Sequence, residues 1–174
     1  MNNLKTSNKT LLFLLALSSP SLAAQNIHYK GELIAGVCEL IVNDDIAANV
    51  DFHTLSYNAF DSNNQTTHIP FSLTLKNCQT SLANGVLVSF SGTEDSILPG
   101  LLKLDESSVA SGFAIGIETA YSTPIAINSN QKITFSLSEG ITTINLRAWL
   151  QKYTSNIITP GEFTGKTTIE FEYQ

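Results

Sequence analysis

Three histidines and two adjacent acidic pairs are the residues of this sequence most able to hold a metal or move a proton. His28, His53 and His68 lie on three separate segments, with no His-x-His or His-Glu-x-x-His spacing. The pairs at 44–45 and 94–95 lie in turn-type surroundings and lack the Asp-x-Asp-x-Asp spacing of a calcium loop. We therefore expect structural histidines, turn-forming carboxylates and no bound metal.

The sequence also lacks the patterns of a catalytic nucleophile and of a phosphate-binding loop. Ser91 is followed by Gly92, but no glycine precedes it at the spacing of a Gly-x-Ser-x-Gly nucleophile elbow. The glycines at 112 and 116 do not open a helix after a strand, as a phosphate-binding loop requires. The sequence predicts no catalytic residue, no cofactor and no enzyme.

The first two dozen residues have the pattern of a secretory signal peptide. Lys5 and Lys9 precede an apolar run at 11–17, and small residues follow at Ala23 and Ala24. This pattern predicts a signal peptide at residues 1–23, cleaved after Ala23 or Ala24, with an apolar core too short for a permanent membrane anchor. The chain is therefore expected to be exported.

Cys38 and Cys78 are the only cysteines of the sequence. Export into an oxidising compartment favours a disulfide between them. A metal site would need four ligands at short spacings, and neither cysteine has a Cys or His nearby in the sequence.

Charge narrows the choice of partners. The formal net charge is −6, and loss of the signal peptide removes two of the nine basic residues but none of the 15 acidic ones. No basic run remains, so nucleic acid and anionic membrane surfaces are poor candidate partners. No later segment approaches the roughly 18 apolar residues of a spanning helix, so we expect no direct membrane insertion.

Short alternating segments between turn signals dominate the rest of the chain, whereas a polar stretch at 56–67 is typical of an exposed loop. This arrangement favours an all-β sandwich formed by one domain. Strands are predicted at residues 27–33, 39–42, 48–52, 69–75, 86–90, 112–117, 132–137, 143–153 and 167–174.

The first and last of these strands have no obvious partner. In the first, one face carries Ile27, Tyr29, Gly31 and Leu33. The last ends in alternating apolar and acidic residues, and an edge of that kind normally needs a covering strand. The alternation alone leaves open whether the two terminal strands pair within one chain.

Several of these features together resemble subunits of chaperone–usher pili, of the type 1 and P-pilus kind. They are the 27–33 segment, the two cysteines, the strand leading into Cys78, the 112–117 strand and the ending at 160–174. The resemblance implies an incomplete immunoglobulin-like β-sandwich that lacks its seventh strand. It also implies an N-terminal donor-strand extension at 24–36, a pilin domain at 37–174, and export through the periplasm to a fimbrium on the cell surface.

The same resemblance assigns partners and site residues. A periplasmic chaperone first fills the groove left by the missing strand, and at the outer-membrane usher the extension of a neighbouring subunit replaces it, which is a known form of β-strand addition. Ile27, Tyr29, Gly31 and Leu33 are the implied donor side chains. The implied groove wall and chaperone contact are formed by Ile169, Phe171, Tyr173 and the carboxylate of Gln174.

The predicted position in the polymer rests on two features. Residues 90–103 are similar to adaptor-type minor subunits, and the extension before Ile27 is short, which favours a minor or adaptor subunit contributing to cell adhesion. Alternatives are a major pilin, an assembly terminator and a single-domain sugar-binding adhesin. For the adhesin, the candidate residues are Trp149, Tyr153 and the 56–67 loop.

Overall fold

The computed structural model describes residues 36–41, 49–154 and 157–174. In these ranges the regular elements are β-strands, apart from one 3-10 turn at Tyr57–Ala59 inside the predicted 56–67 loop. The strands are β1 Glu39–Ile41, β2 Ile69–Cys78, β3 Gly85–Gly92, β4 Phe113–Thr119, β5 Ile133–Ser136, β6 Gly140–Lys152 and β7 Thr167–Tyr173. The predicted all-β class is therefore confirmed.

Two antiparallel sheets contain these strands, one in the order β1-β2-β6-β4 and the other in the order β5-β3-β7. Alternate side chains enter the core because successive residues of a strand point to opposite faces. Leu73 and Leu75 of β2 and Val86 and Val88 of β3 are completely buried. The period-two pattern in the sequence thus sets which face of each strand is covered.

Pro70 lies near the start of β2, which is an interior strand of its sheet. β1 pairs only with residues 74–76 of β2, whereas Pro70 is paired on its other side with Arg147 of β6. At this level no described strand lies on the β1 side of β2. The missing amide donor of proline is therefore tolerated here.

A register shift bends the end of β2 between Leu75 and Cys78. Asn77 adopts a positive φ of 54°, a conformation that asparagine tolerates better than most side chains. Cys78 is then buried against the core and forms a disulfide with Cys38, directly before β1. The predicted Cys38–Cys78 disulfide is confirmed.

The predicted strands from residue 69 onward correspond to β2 to β7, but the prediction at 48–52 is wrong for residues 49–52, which are irregular. The apolar residues there pack in a loop instead, since the ring of Phe52 lies 5.9 Å from that of Phe163. The predicted strand at 27–33, the signal peptide and most of the 24–36 extension lie outside the described residues. Among the described residues, no helix is long and apolar enough to cross a membrane.

Candidate functional site

The strand β7 is the last strand of the three-stranded sheet and pairs only with β3 among the described strands. Its register places Ile169 opposite Phe90, Phe171 opposite Val88 and Tyr173 opposite Val86. These three β3 residues are fully buried, whereas the three β7 residues are only partly buried. One face of β7 therefore carries apolar side chains that the described part of the domain covers incompletely.

The opposite face of β7 is polar. Glu170 and Glu172 are exposed, as the alternation in the sequence predicts. Glu172 pairs with Lys132, and the hydrogen bond and charge of that carboxylate raise the pKa of the lysine above its ordinary value. On the apolar face, burial raises the pKa of Tyr173 above its ordinary value. The strand is thus amphipathic across its width, with one face for solvent and one for apolar packing.

Gln174 closes the end of this strand. Its backbone oxygen accepts hydrogen bonds from the amides of Asn84 and Gly85 at 2.9 and 3.1 Å, and its own amide donates to Gly85 at 3.0 Å. These bonds connect the end of β7 to the turn before β3. The contact between Gln174 and a chaperone stays a prediction.

The disulfide fixes the point where the predicted extension would leave the domain. Val37 accepts a hydrogen bond from the amide of Gln79 at 2.9 Å, next to the Cys38–Cys78 bridge. The donor residues Ile27, Tyr29, Gly31 and Leu33 all lie outside the described residues, so their roles stay predictions. What the structure provides is an anchor at residue 38, two residues after the end of the predicted extension.

The sugar-binding alternative depended on an exposed tryptophan, and that expectation is wrong. Trp149 is only 6% exposed. Its indole covers Gly116, where a Cβ atom would lie 2.3 Å from the ring, and it stacks on His68 with 4.9 Å between ring centroids. Tyr153 is half-buried, and its hydroxyl donates a hydrogen bond to Asp95.

His68 belongs to a charged network on the outer face of the four-stranded sheet. Its Nδ1 lies 2.6 Å from Oε1 of Glu118, and the same oxygen forms a salt bridge of 2.6 Å with Nη2 of Arg147. A carboxylate only accepts hydrogen bonds, so Nδ1 carries the proton. Glu118 is 4% exposed, which makes this a buried structural ion pair. Residues this far apart in the sequence gave no signal of their contact.

The carboxylates of the acidic pair at 94–95 accept hydrogen bonds from nearby backbone amides, as predicted for turn residues. Oδ1 of Asp95 accepts hydrogen bonds from the amides of Ile97 and Leu98, and Glu94 accepts one from the amide of Gly100. Oδ2 of Asp95 accepts a 2.6 Å bond from the hydroxyl of Tyr153. The pair at 44–45 lies outside the described residues, and the described part of the chain has no cluster of three metal-ligating side chains.

The Tyr153–Asp95 bond predicts a change in alkaline stability. Burial, together with Asp95, raises the pKa of Tyr153 well above its ordinary value of 10.0. The folded pKa exceeds the unfolded one, so the contribution is complete below about pH 10 and is lost as the pH rises further. Replacing Tyr153 by Phe should cost about 1.5–3 kcal/mol near neutral pH, the usual range for a hydrogen bond to a charged group, and flatten the decline above pH 10.

Urea unfolding from pH 7 to 11 measures both effects. Tyr121→Phe is the matched control, because its side chain is 94% exposed and should leave the stability and its pH dependence unchanged. An unaltered alkaline decline in Tyr153→Phe would contradict this assignment.

Comparison with known proteins identifies the class to which this two-sheet domain belongs. Residues 27–174 match the family model described as fimbrial protein, so the chain belongs to the fimbrial protein family. It is 40% identical over 161 residues to the uncharacterized fimbrial-like protein YfcP of Escherichia coli K12, covering 92% of this chain and 90% of that protein.

The chain is also similar to a further fimbrial protein in sequence and to a pilus subunit in structure. The major MR/P fimbria protein of Proteus mirabilis is 27% identical over 168 residues, covering 94% of each chain. The solved P pilus rod subunit PapA has the same fold, with a TM-score of 0.68 at 17% identity, over 80% of this chain and all of that one.

Proposed function

We propose that this chain is a fimbrial subunit assembled by donor-strand exchange along the chaperone–usher route, with β7 as the accepting edge. One observation carries the proposal. Ile169, Phe171 and Tyr173 remain partly exposed, although each stands opposite a fully buried residue of β3. A strand added beside β7 would cover these side chains and pair with the outer edge of its backbone.

Both parts of that addition are favourable. Edge strands present backbone N–H and C=O groups that an incoming strand satisfies. Covering apolar surface contributes about 25 cal/mol per Å² removed from water. Residues 24–36 supply a strand of the required kind, with Ile27, Tyr29 and Leu33 on one face and Gly31 between them.

Donation by the extension of one subunit into the groove of the next produces a fibre. The donor and the acceptor are different surfaces of the same kind of molecule, so the contact is head-to-tail and does not close on itself. A periplasmic chaperone would occupy the β7 edge before assembly, in contact with Gln174, and an outer-membrane usher would catalyse the exchange. The completed polymer would be a surface fimbrium contributing to adhesion.

Within the polymer we favour a minor or adaptor position, on the basis of residues 90–103 and the short extension. In the structure, this segment is held by the bonds of Glu94 and Asp95 and by pairing of Leu102 with Ile115. A shaft position is the second candidate, because one relative, at 27% identity, is named a major fimbria protein. Immunogold labelling separates the two: an adaptor is found at fibre tips and a major subunit along the whole shaft.

Gly31→Val tests the donor role. The added β-branched side chain would meet the groove where glycine allows close backbone approach, so the variant should bind its chaperone normally but fail to join the acceptor subunit. Lys30→Val is the matched control, since residue 30 faces away from the groove and its variant should assemble like the wild type. The measurement is recovery of each variant in chaperone complexes and in sheared fimbriae. Normal assembly of Gly31→Val would overturn the donor assignment.

A further inference from the structure

Asn84 and Gly85 form the only Asn-Gly sequence in the chain, at the turn that leads into β3. The side chain of Asn84 is exposed, so water reaches its amide. Gly85 has no Cβ to hinder approach to its nitrogen. The two residues therefore have the composition and exposure of a site where asparagine deamidates spontaneously.

The reaction is a displacement within the chain. The backbone nitrogen of Gly85 attacks Cγ of Asn84, a new N–C bond forms, and the side-chain amide leaves as ammonia. Water then opens the five-membered imide at either carbonyl and gives aspartate or isoaspartate. One water is consumed, one ammonia is released, and no atom is oxidised or reduced.

The fold restrains the atom that must attack. The amide of Gly85 donates to the backbone oxygen of Gln174 at 3.1 Å, and the amide of Asn84 donates to the same oxygen at 2.9 Å. On the other side, the oxygen of Asn84 accepts a bond of 2.9 Å from the amide of Leu137. Formation of the imide ring requires the Gly85 nitrogen to lose its proton and the Asn84–Gly85 backbone to rotate, and both changes break these bonds.

We propose that Asn84–Gly85 is a latent deamidation site whose rate is controlled by the backbone hydrogen bonds that these two residues donate to Gln174. While the end of β7 is in place, the amide is restrained. When it leaves, this restraint is lost and the site reacts faster, although the amide of Leu137 still donates to the oxygen of Asn84. The product carries a new carboxylate on the residue that holds Gln174, and isoaspartate also lengthens the backbone there, so the reaction weakens the attachment of the β7 end.

The proposal does not depend on donor-strand exchange, and peptide mass spectrometry tests it. The full-length protein, purified with any partner that accompanies it, is incubated at pH 8 in the folded state and in denaturant. Conversion of Asn84 is followed by the mass gain of its peptide and by the isoaspartate fraction. Folded wild type should deamidate at least about tenfold more slowly than denatured wild type, since two or more hydrogen bonds of ordinary strength must break.

Two variants of Gln174 form the matched pair. Deletion of Gln174 removes the accepting oxygen and should speed deamidation of the folded protein about two- to tenfold, as expected for loss of an ordinary hydrogen bond. Gln174→Ala retains the backbone and should leave the rate unchanged. Circular dichroism confirms that each variant remains folded.

Gly85→Ala checks that the chemistry is the assigned one. A Cβ at residue 85 would meet its nearest atoms at 3.6 Å, an ordinary contact, so the variant should fold but deamidate more slowly in both states. Equal rates for folded and denatured wild type would overturn the proposal. So would a folded deletion variant that reacts no faster than the wild type.

Discussion

Loss of the Cys38–Cys78 disulfide is expected to lower the free energy of unfolding by about 4 kcal/mol. The bridge closes a loop of 40 residues, and its removal returns that loop's freedom to the unfolded chain. Domains of this size are stable by about 5–15 kcal/mol, so the loss removes a large share of the total. Because the bridge also fixes residue 38 after the predicted extension, the variant should lose the bond between Val37 and Gln79.

The variant to compare with the wild type is Cys38→Ala/Cys78→Ala, since alanine leaves no polar group at the buried position 78. Urea unfolding of both proteins, with and without dithiothreitol, provides the measurement. Reduction should bring the wild type close to the double variant and leave the double variant unchanged. A difference below about 1 kcal/mol would be less than the usual range for a native disulfide and would contradict the assigned role.

Replacing Glu118 by Ala should cost about 3 kcal/mol, the lower end of the range for breaking a buried ion pair. The substitution leaves the guanidinium of Arg147 without its carboxylate and His68 without its acceptor. The loss is reduced because the Arg147 side chain is 30% exposed and Nη2 also donates to the hydroxyl of Ser122. A second consequence concerns Trp149, which stacks on His68 and should change its emission when the network is broken.

Glu118→Gln is the matched control, because its amide oxygen still accepts one hydrogen bond and the side chain keeps its volume. It should lose clearly less stability than Glu118→Ala. Urea unfolding followed by the fluorescence of Trp149, the single tryptophan of the chain, measures stability and local change together. Equal stability of Glu118→Ala and the wild type would mean that the ion pair makes no net contribution.

The strands were predictable because their signal is local. In β7, each apolar residue of the alternating pattern is found on the partly buried face and each glutamate on the exposed face. The disulfide was also predictable, since the two cysteines of a chain with a predicted signal peptide allow only one pairing. The prediction at 48–52 was wrong because a short apolar segment can equally pack in a loop, as Phe52 does against Phe163.

Trp149 shows that alternation along a strand predicts the face on which a side chain lies but not whether other strands bury it. The sequence places it correctly on the outer face of β6, beside Arg147, but its burial depends on Gly116 of β4 and on His68 before β2. The same limit applies to Glu118, whose two partners lie on other strands. No pattern within one strand specifies which residue stands opposite on the next.

The candidate site was likewise predictable only in part from the sequence. Alternation along residues 169–173 predicted an amphipathic strand, because the side-chain direction of a strand repeats every two residues whatever its neighbours are. Its location at the edge of β5-β3-β7, and the end bonds between Gln174 and the turn at Asn84–Gly85, follow from pairings between segments some 80 residues apart. Such pairings depend on how the two sheets pack as a whole, so they emerge only when the complete domain has folded.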